Sequence, residues 1–424
     1  MGDFTFGWPT HQLTTDPRLA YNSISKTYCR LSFESLVDIA PDGGQLLPWL
    51  AGSWHYRDPL TLDLTIRPGR CFSDGAPLTP EAVAQSFSDI AAMKQVSPLP
   101  AAVTMLTGLG HIEAGIDTVT FHFVHHNAAF LRSLAGVNLA IRSPAGLGTG
   151  RWVQTEQGVT DGERRLTFRE ADTGDLYAGS IDGYHMAEIH NPGISYGLCP
   201  NASRGPLTDP RVRRALSLLI DRAALQPILD AAGYTVASSV LTPTTEGYRD
   251  CSAELTYDPA AAHRLLAASG AQRLSFEVLF NSTFSPVDAS LLAAVAAQWQ
   301  QHGIELSLAD VDFPELRRRQ QSGAYDFRFF YFTGSDPDLL RYQLAVDQRN
   351  MNRRTRADDL DALLYTQLSC TDPDARRAIV HDIQRRILTG GLWLPLCNIR
   401  TVTSYRPDRL SGVYLDTEAL ARIP

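Results

Sequence analysis

Hydrophobic positions along the chain switch repeatedly between a two-residue and a helical period. Residues 62–66 and 117–124 alternate apolar with polar side chains, the second with Val119, Phe121 and Phe123 on one face, and both predict half-buried strands. Between them Asp74-Gly75 supplies a turn, and Thr79-Pro80-Glu81 has the chemistry of a capped helix start. From 211 to 228 the apolar positions Val212, Ala215, Leu216, Leu219 and Ile220 predict one helix, opened by Thr208 or Asp209 with Pro210 in its first turn. Another helix starts at Asp258-Pro259 and stops at Gly270. A longer one over 288–302 ends at Gly303 and passes into an alternating strand over 304–308. Strands and helices that alternate in this way predict mixed α/β layers, not a bundle or a sandwich.

Composition changes this picture little. A chain of 424 residues with 44% apolar content is long enough for roughly two or three domains. A net charge of −8 excludes a general nucleic-acid surface, so the basic cluster Arg349, Arg353, Arg354 and Arg356 needs a local explanation. No apolar run of about 18 residues is present, so no segment is expected to span a bilayer. Nor does Met1-Gly2 open a charged and then apolar leader; we expect a mature form with a new start residue, the alternative being a cytoplasmic protein. The six cysteines, at 29, 71, 199, 251, 370 and 397, show neither a CxxC pair nor metal-like spacing. Disulfides of unassigned connectivity and buried free thiols both fit that pattern.

Catalytic signals are poor. The glycine run 146–150 lacks the Lys-Ser/Thr ending of a phosphate loop, and there is neither a GxSxG elbow nor a cysteine beside a histidine motif. His125 and His126 are adjacent on a strand and face opposite ways, and His185 and His190 lack an HExxH context. These four read as structural or exposed, because zinc needs three or four converging ligands. No enzyme activity, cofactor or resident metal is expected.

Several blocks resemble, in order, the extracytoplasmic solute-binding proteins that serve peptide and nickel ABC importers, known as family 5. They are TFGWP at 5–9, LLPWLAGSW leading to CFSDGAPLTPEAVAQSF within 46–87, GTGRW at 148–152, DPRVRRALSLLIDRAAL at 209–225, WQQHGIEL at 299–306 and YDFRFFYFTGSDP at 325–337. Arg151 stands where the family has a proline. TFGWP and DGGQLLPWLAGSW look like the nickel branch in particular. The resemblance implies a two-lobed type II periplasmic-binding-protein fold with a ligand cleft between the lobes. Lobe I would comprise 1–198 and 399–424, and lobe II 199–398. Only about fifty residues separate Trp152 from Asn201, fewer than the family usually has, so lobe I is expected to be shortened, with Asp182-Gly183 as a remnant.

The same resemblance implies ligand contacts from Trp8, Tyr21 and Arg142 in the first lobe, Tyr331 in the second, and Thr417 near the C-terminus. The loop 349–354 occupies the place from which the nickel branch presents a histidine and opine-metallophore binders present Arg and Asn. This chain has no histidine between His302 and His381, and it offers Arg349, Asn352 and Arg353 instead. Arginine forks suit carboxylate-bearing ligands. The implied function is the substrate-binding component of an ABC importer, capturing nickel or another transition metal as a small-molecule chelate. A di- or oligopeptide is the alternative cargo. The expected setting is a periplasmic or lipoprotein-anchored monomer that works with a membrane permease. A ligand-sensing domain related to a transcriptional regulator is the remaining alternative, and the upstream coding sequence separates the two: a signal peptide or a basic helical domain.

Overall fold

The computed structural model describes residues 2–8, 13–40, 45–96, 100–282, 287–334, 336–416 and 418–423. Its contacts divide the chain into two compact units, Met1–Ile189 with Leu368–Pro373 and Thr401–Pro424, and His190–Gln367 with Asp374–Arg400. The first unit is discontinuous, and by these contacts the main crossings follow Ile189 and Arg400. Ile194 to Pro200 form an unbroken antiparallel ladder with Phe327–Thr333, so a cut after 198 would separate paired strands, whereas the pairing of Cys397 and Asn398 with Val236 and Thr235 lies wholly before a cut after 398.

In the first unit the strand Gly2–Trp8 pairs in parallel with Arg164–Glu170, placing Phe6 opposite Phe168. Leu176–Tyr177 joins its far end and pairs with Tyr405 and Ser404. Phe4, Phe6, Trp8, Tyr28 and Phe168 form one core there. A separate antiparallel sheet runs in the order Ala51–Asp58, Thr61–Ile66, Thr118–Phe123, Leu109–Ala114. Helix Pro80–Ala91 covers one face of it through Val83, Phe87 and Ile90, with Phe87 edge-on to Phe121 at 5.0 Å. Thr79 caps that helix by accepting the Ala82 N–H, so the predicted start is where local chemistry put it.

In the second unit Ser275–Phe280 lies between the parallel strands Glu305–Asp310 and Phe327–Thr333. Helices Pro210–Leu218, Pro259–Ser269 and Asp288–Gln300 contribute to its main core, where Trp299 is fully buried and donates from Nε1 to the Leu216 carbonyl at 3.1 Å. Asp209 and Asp258 cap the first two, and Gly270 closes the second in the left-handed region. The predicted single helix over 211–228 is interrupted: Pro210–Leu218 ends early, and Ala223–Leu225 and Gln226–Asp230 follow as separate turns. Buried Arg222 is the cause. Its guanidinium collects the carbonyls of Ser217 and Ile220, which an uninterrupted helix would not release, together with those of Leu255 and Pro395. Burial drives its pKa down to about 9.

Candidate functional site

The site residues expected in the first unit differ in what surrounds them. Trp8 ends its strand inside the core, 4% exposed, with its ring 6.1 Å from Phe168. Tyr21 is exposed and directly precedes Asn22, which caps helix Ser23–Ser32 by accepting from the Ser25 N–H at 2.8 Å. The loop before it is pinned by Asn138, whose Nδ2 donates to the carbonyls of Pro17 and Ala20 at 2.8 Å. Arg142 is half-buried; its N–H donates to Ser86 Oγ, and its guanidinium reaches the Ser143 carbonyl at 3.4 Å. Burial raises the pKa of nearby Asp16, but hydrogen bonds from Arg18 and the charges of Arg18 and Arg142 outweigh it and hold the carboxyl below its usual value. Among the described residues Arg142 has no carboxylate at ion-pair distance. The GTGRW segment packs against the end of helix Ser23–Ser32: a Cβ on Gly148 would stand 2.0 Å from the Ser32 carbonyl oxygen, and one on Gly150 2.5 Å from that of Leu31. Its glycines serve close packing. Thr417 lies outside the described residues.

In the second unit Tyr331 is half-buried on the strand Phe327–Thr333, opposite Tyr196 with rings 5.3 Å apart and nearly parallel to Phe330 at 5.2 Å. The loop 349–354 assigns its side chains sharply different work. Asn352 is fully buried, and its Nδ2 donates to the carbonyls of Leu392 at 2.5 Å and Pro200 at 3.3 Å, fastening the loop to two strand ends. Arg354 is buried between Asp358 and Asp361, 2.7 Å from each, and also donates to the Leu344 carbonyl. Arg353 is half-buried and donates to the carbonyls of Gln320 and Gln321. Arg349 is exposed; its guanidinium lies over the Tyr342 ring at 5.4 Å and donates to Gln343 Oε1 at 3.3 Å, with no carboxylate at ion-pair distance among the described residues. Among the described residues Arg349 and Arg142 are therefore cations with no carboxylate at ion-pair distance, though the charge of Arg142 still acts on Asp16.

Other side chains were not singled out in the sequence. Arg328 is buried between the rings of Tyr325 and Phe330, 5.3 Å from each, and supports the Met351 carbonyl from beneath the loop. His111, Glu113 and His122 converge on the outer sheet of the first unit. The signal for them was a His-x-Glu and a Phe-His-Phe facing across a short hairpin. All six cysteines are free thiols, with Cys29, Cys199, Cys251 and Cys397 buried. No helix among the described residues is long and apolar enough to cross a membrane.

Known proteins agree with this architecture. The family described as bacterial extracellular solute-binding proteins, family 5 Middle, matches residues 45–164 and 169–349, more than half of the chain. The probable di/tripeptide-binding protein 5 of Pseudomonas aeruginosa is 27% identical over 47% of this chain and 39% of its own length. The nickel-binding periplasmic protein of Escherichia coli is 23% identical over 96% of this chain and 91% of its own. Among the curated relatives, then, the match spans well under half of the first and nearly all of the second. The crystal structure of NikA from Brucella suis in complex with Fe(III)-EDTA superposes with a TM-score of 0.82 at 19% identity, covering 100% of both chains. That of a dipeptide-binding protein from Pseudoalteromonas sp. SM9913 in complex with Met-Leu does so with 0.85 at 15%, covering 99% of this chain and 98% of that one. The fold is the two-lobed α/β fold of periplasmic binding proteins, in a family of non-enzymatic transport proteins. By the extent of the family match and the order of its elements, this chain is a member of the bacterial extracellular solute-binding proteins of family 5.

Proposed function

We propose that the chain is the substrate-binding component of an ABC importer and that its cargo is nickel or another transition metal carried as a small-molecule chelate. One observation carries the choice of a chelate over a bare ion: Arg349, in the loop that has no histidine, is held in place by Tyr342 and Gln343 and has no carboxylate at ion-pair distance among the described residues. A guanidinium repels a bare cation but forms paired hydrogen bonds with the carboxylates of a chelator. Arg142 has the same character in the first unit. Tyr21, Tyr331 and Arg353 are proposed to complete the contacts, Trp8 to back them from the core, Asn352 to hold the loop in shape, and Thr417 to contribute near the C-terminus. The nearly full-length relationship to the E. coli nickel-binding protein supports this reading. The proposed setting is extracytoplasmic, as a monomer that delivers its cargo to a membrane permease.

A peptide cargo is the second reading, favoured by the 27% identity to a di/tripeptide-binding relative and by the same unspent arginines, which suit a peptide carboxylate. Native mass spectrometry of protein purified without denaturation separates the two. A retained mass that contains a metal with its chelator supports the proposal, and a retained peptide overturns it. Calorimetric titration with Ni(II)–(L-His)2, the complex bound by NikA from Staphylococcus aureus, and with the dipeptide Met-Leu makes the same distinction in solution.

A further inference from the structure

Strands Leu109–Ala114 and Thr118–Phe123 form an antiparallel hairpin with His111 opposite His122 and Glu113 opposite Thr120. Val119, Phe121 and Phe123 point into the core, so alternation turns His122 to the other face, and His111 and Glu113, two residues apart, share it. The imidazoles stack with centroids 4.2 Å apart and planes within 6°. Glu113 bridges them, with Oε1 3.2 Å from His111 Nε2 and Oε2 3.5 Å from His122 Nε2. His122 Nε2 is out of contact with solvent and, among the described residues, makes no hydrogen bond. One donor atom from each residue lies within 4.8 Å of the other two, a convergence that no other histidine, cysteine or carboxylate group reaches among the described residues.

The geometry points to a site for a divalent transition metal on this face, held by His111, Glu113 and His122. Donors about 2.0–2.2 Å from a tetrahedral metal stand about 3.3 Å from one another, close to the separations of Glu113 Oε1 from His111 and Oε2 from His122, and a rotation of the stacked rings turns both nitrogen lone pairs onto one ion. Two imidazoles with one carboxylate suit zinc, nickel or copper and leave a fourth position for water. The floor beneath is braced: Thr120 Oγ1 donates to Asp63 Oδ1 at 2.7 Å, and Arg57 clasps the same carboxylate. The side chains of His111 and Glu113 are more than half exposed, so an ion can reach the site directly. None of the proposed cargo contacts lies on these strands, so the site stands or falls independently of the cargo.

The test is calorimetric titration of the metal-free, full-length protein with Zn(II). Wild type is expected to take up one ion that His111→Gln and His122→Gln each bind at least about tenfold more weakly, since even loss of a residue behind a metal ligand costs 10- to 100-fold. His111 is exposed and His122 partly buried, and unchanged thermal melts of the metal-free variants check the fold; Glu113→Gln replaces any variant that melts early. Zn(II) binding that is absent from wild type, or equal in wild type and the double histidine variant, overturns the site.

Discussion

The loop 349–354 of the second unit and the hairpin 109–123 of the first both crowd charged or metal-seeking side chains into a short stretch, yet the structure spends them in opposite ways. In the loop, Arg354 is buried between two carboxylates and Asn352 is consumed by backbone carbonyls, which leaves Arg349 as the cation with unspent charge and Arg353 tied to carbonyls. In the hairpin, three potential ligands meet one another, with Glu113 reaching both of two stacked histidines. What a cluster can bind is set by which members already have an internal partner, and local density does not report that.

The largest expected effect tests the claim that the loop is mostly scaffold. Arg354→Ala leaves Asp361, which is 6% exposed, without its counter-charge, and breaking a buried pair in this way costs about 3–5 kcal/mol. Urea denaturation of the whole protein measures it, and a loss below about 1 kcal/mol would mean that water or a shift of the loop replaces the arginine. Asn352→Ala comes next. It removes the donor to Leu392 and Pro200 and leaves buried carbonyls unsatisfied, an expected loss of about 1–3 kcal/mol by the same measurement. An unchanged midpoint would release Asn352 from this structural role.

Much of the fold was legible because its signals are local. Thr79, Asp209 and Asp258 start helices by bonding N–H groups two or three residues away, and Gly270 ends one through its own backbone. The helix over 211–228 was misread because its terminator, Arg222, acts through Leu255 and Pro395, far along the chain. The site was less legible for the same reason. Asn352 and Arg349 look alike as polar members of one loop, but the partners that bury Asn352 come from Pro200 and Leu392. Likewise His111 and His122 become neighbours only through strand register.

Arg349 sharpens the contrast with its neighbours. Exposed and without a carboxylate partner among the described residues, it is expected to cost no more than about 0.5 kcal/mol of stability as Arg349→Ala. Binding of Ni(II)–(L-His)2 is expected to weaken by about tenfold, or ~1.4 kcal/mol. Calorimetry and denaturation on the same preparation give both numbers. Equal binding by variant and wild type would remove the loop from the cargo contacts.

The smallest effect concerns pH. Partial burial pushes the Asp358 carboxyl up, but the charge and hydrogen bond of Arg354, helped by the Leu360 N–H, outweigh it and hold the pKa below the ordinary carboxylate value. A carboxyl depressed on folding contributes stability that is fully present above its unfolded pKa of about 3.9 and is lost as pH falls through the lower folded value. Asp358 is about half exposed, so screening keeps that contribution under about 1 kcal/mol. Urea midpoints measured below about pH 4 should therefore fall more steeply in wild type than in Arg354→Met, where the counter-charge is gone, and added salt should narrow the difference. Parallel acid limbs would mean that Asp358 draws no stability from Arg354.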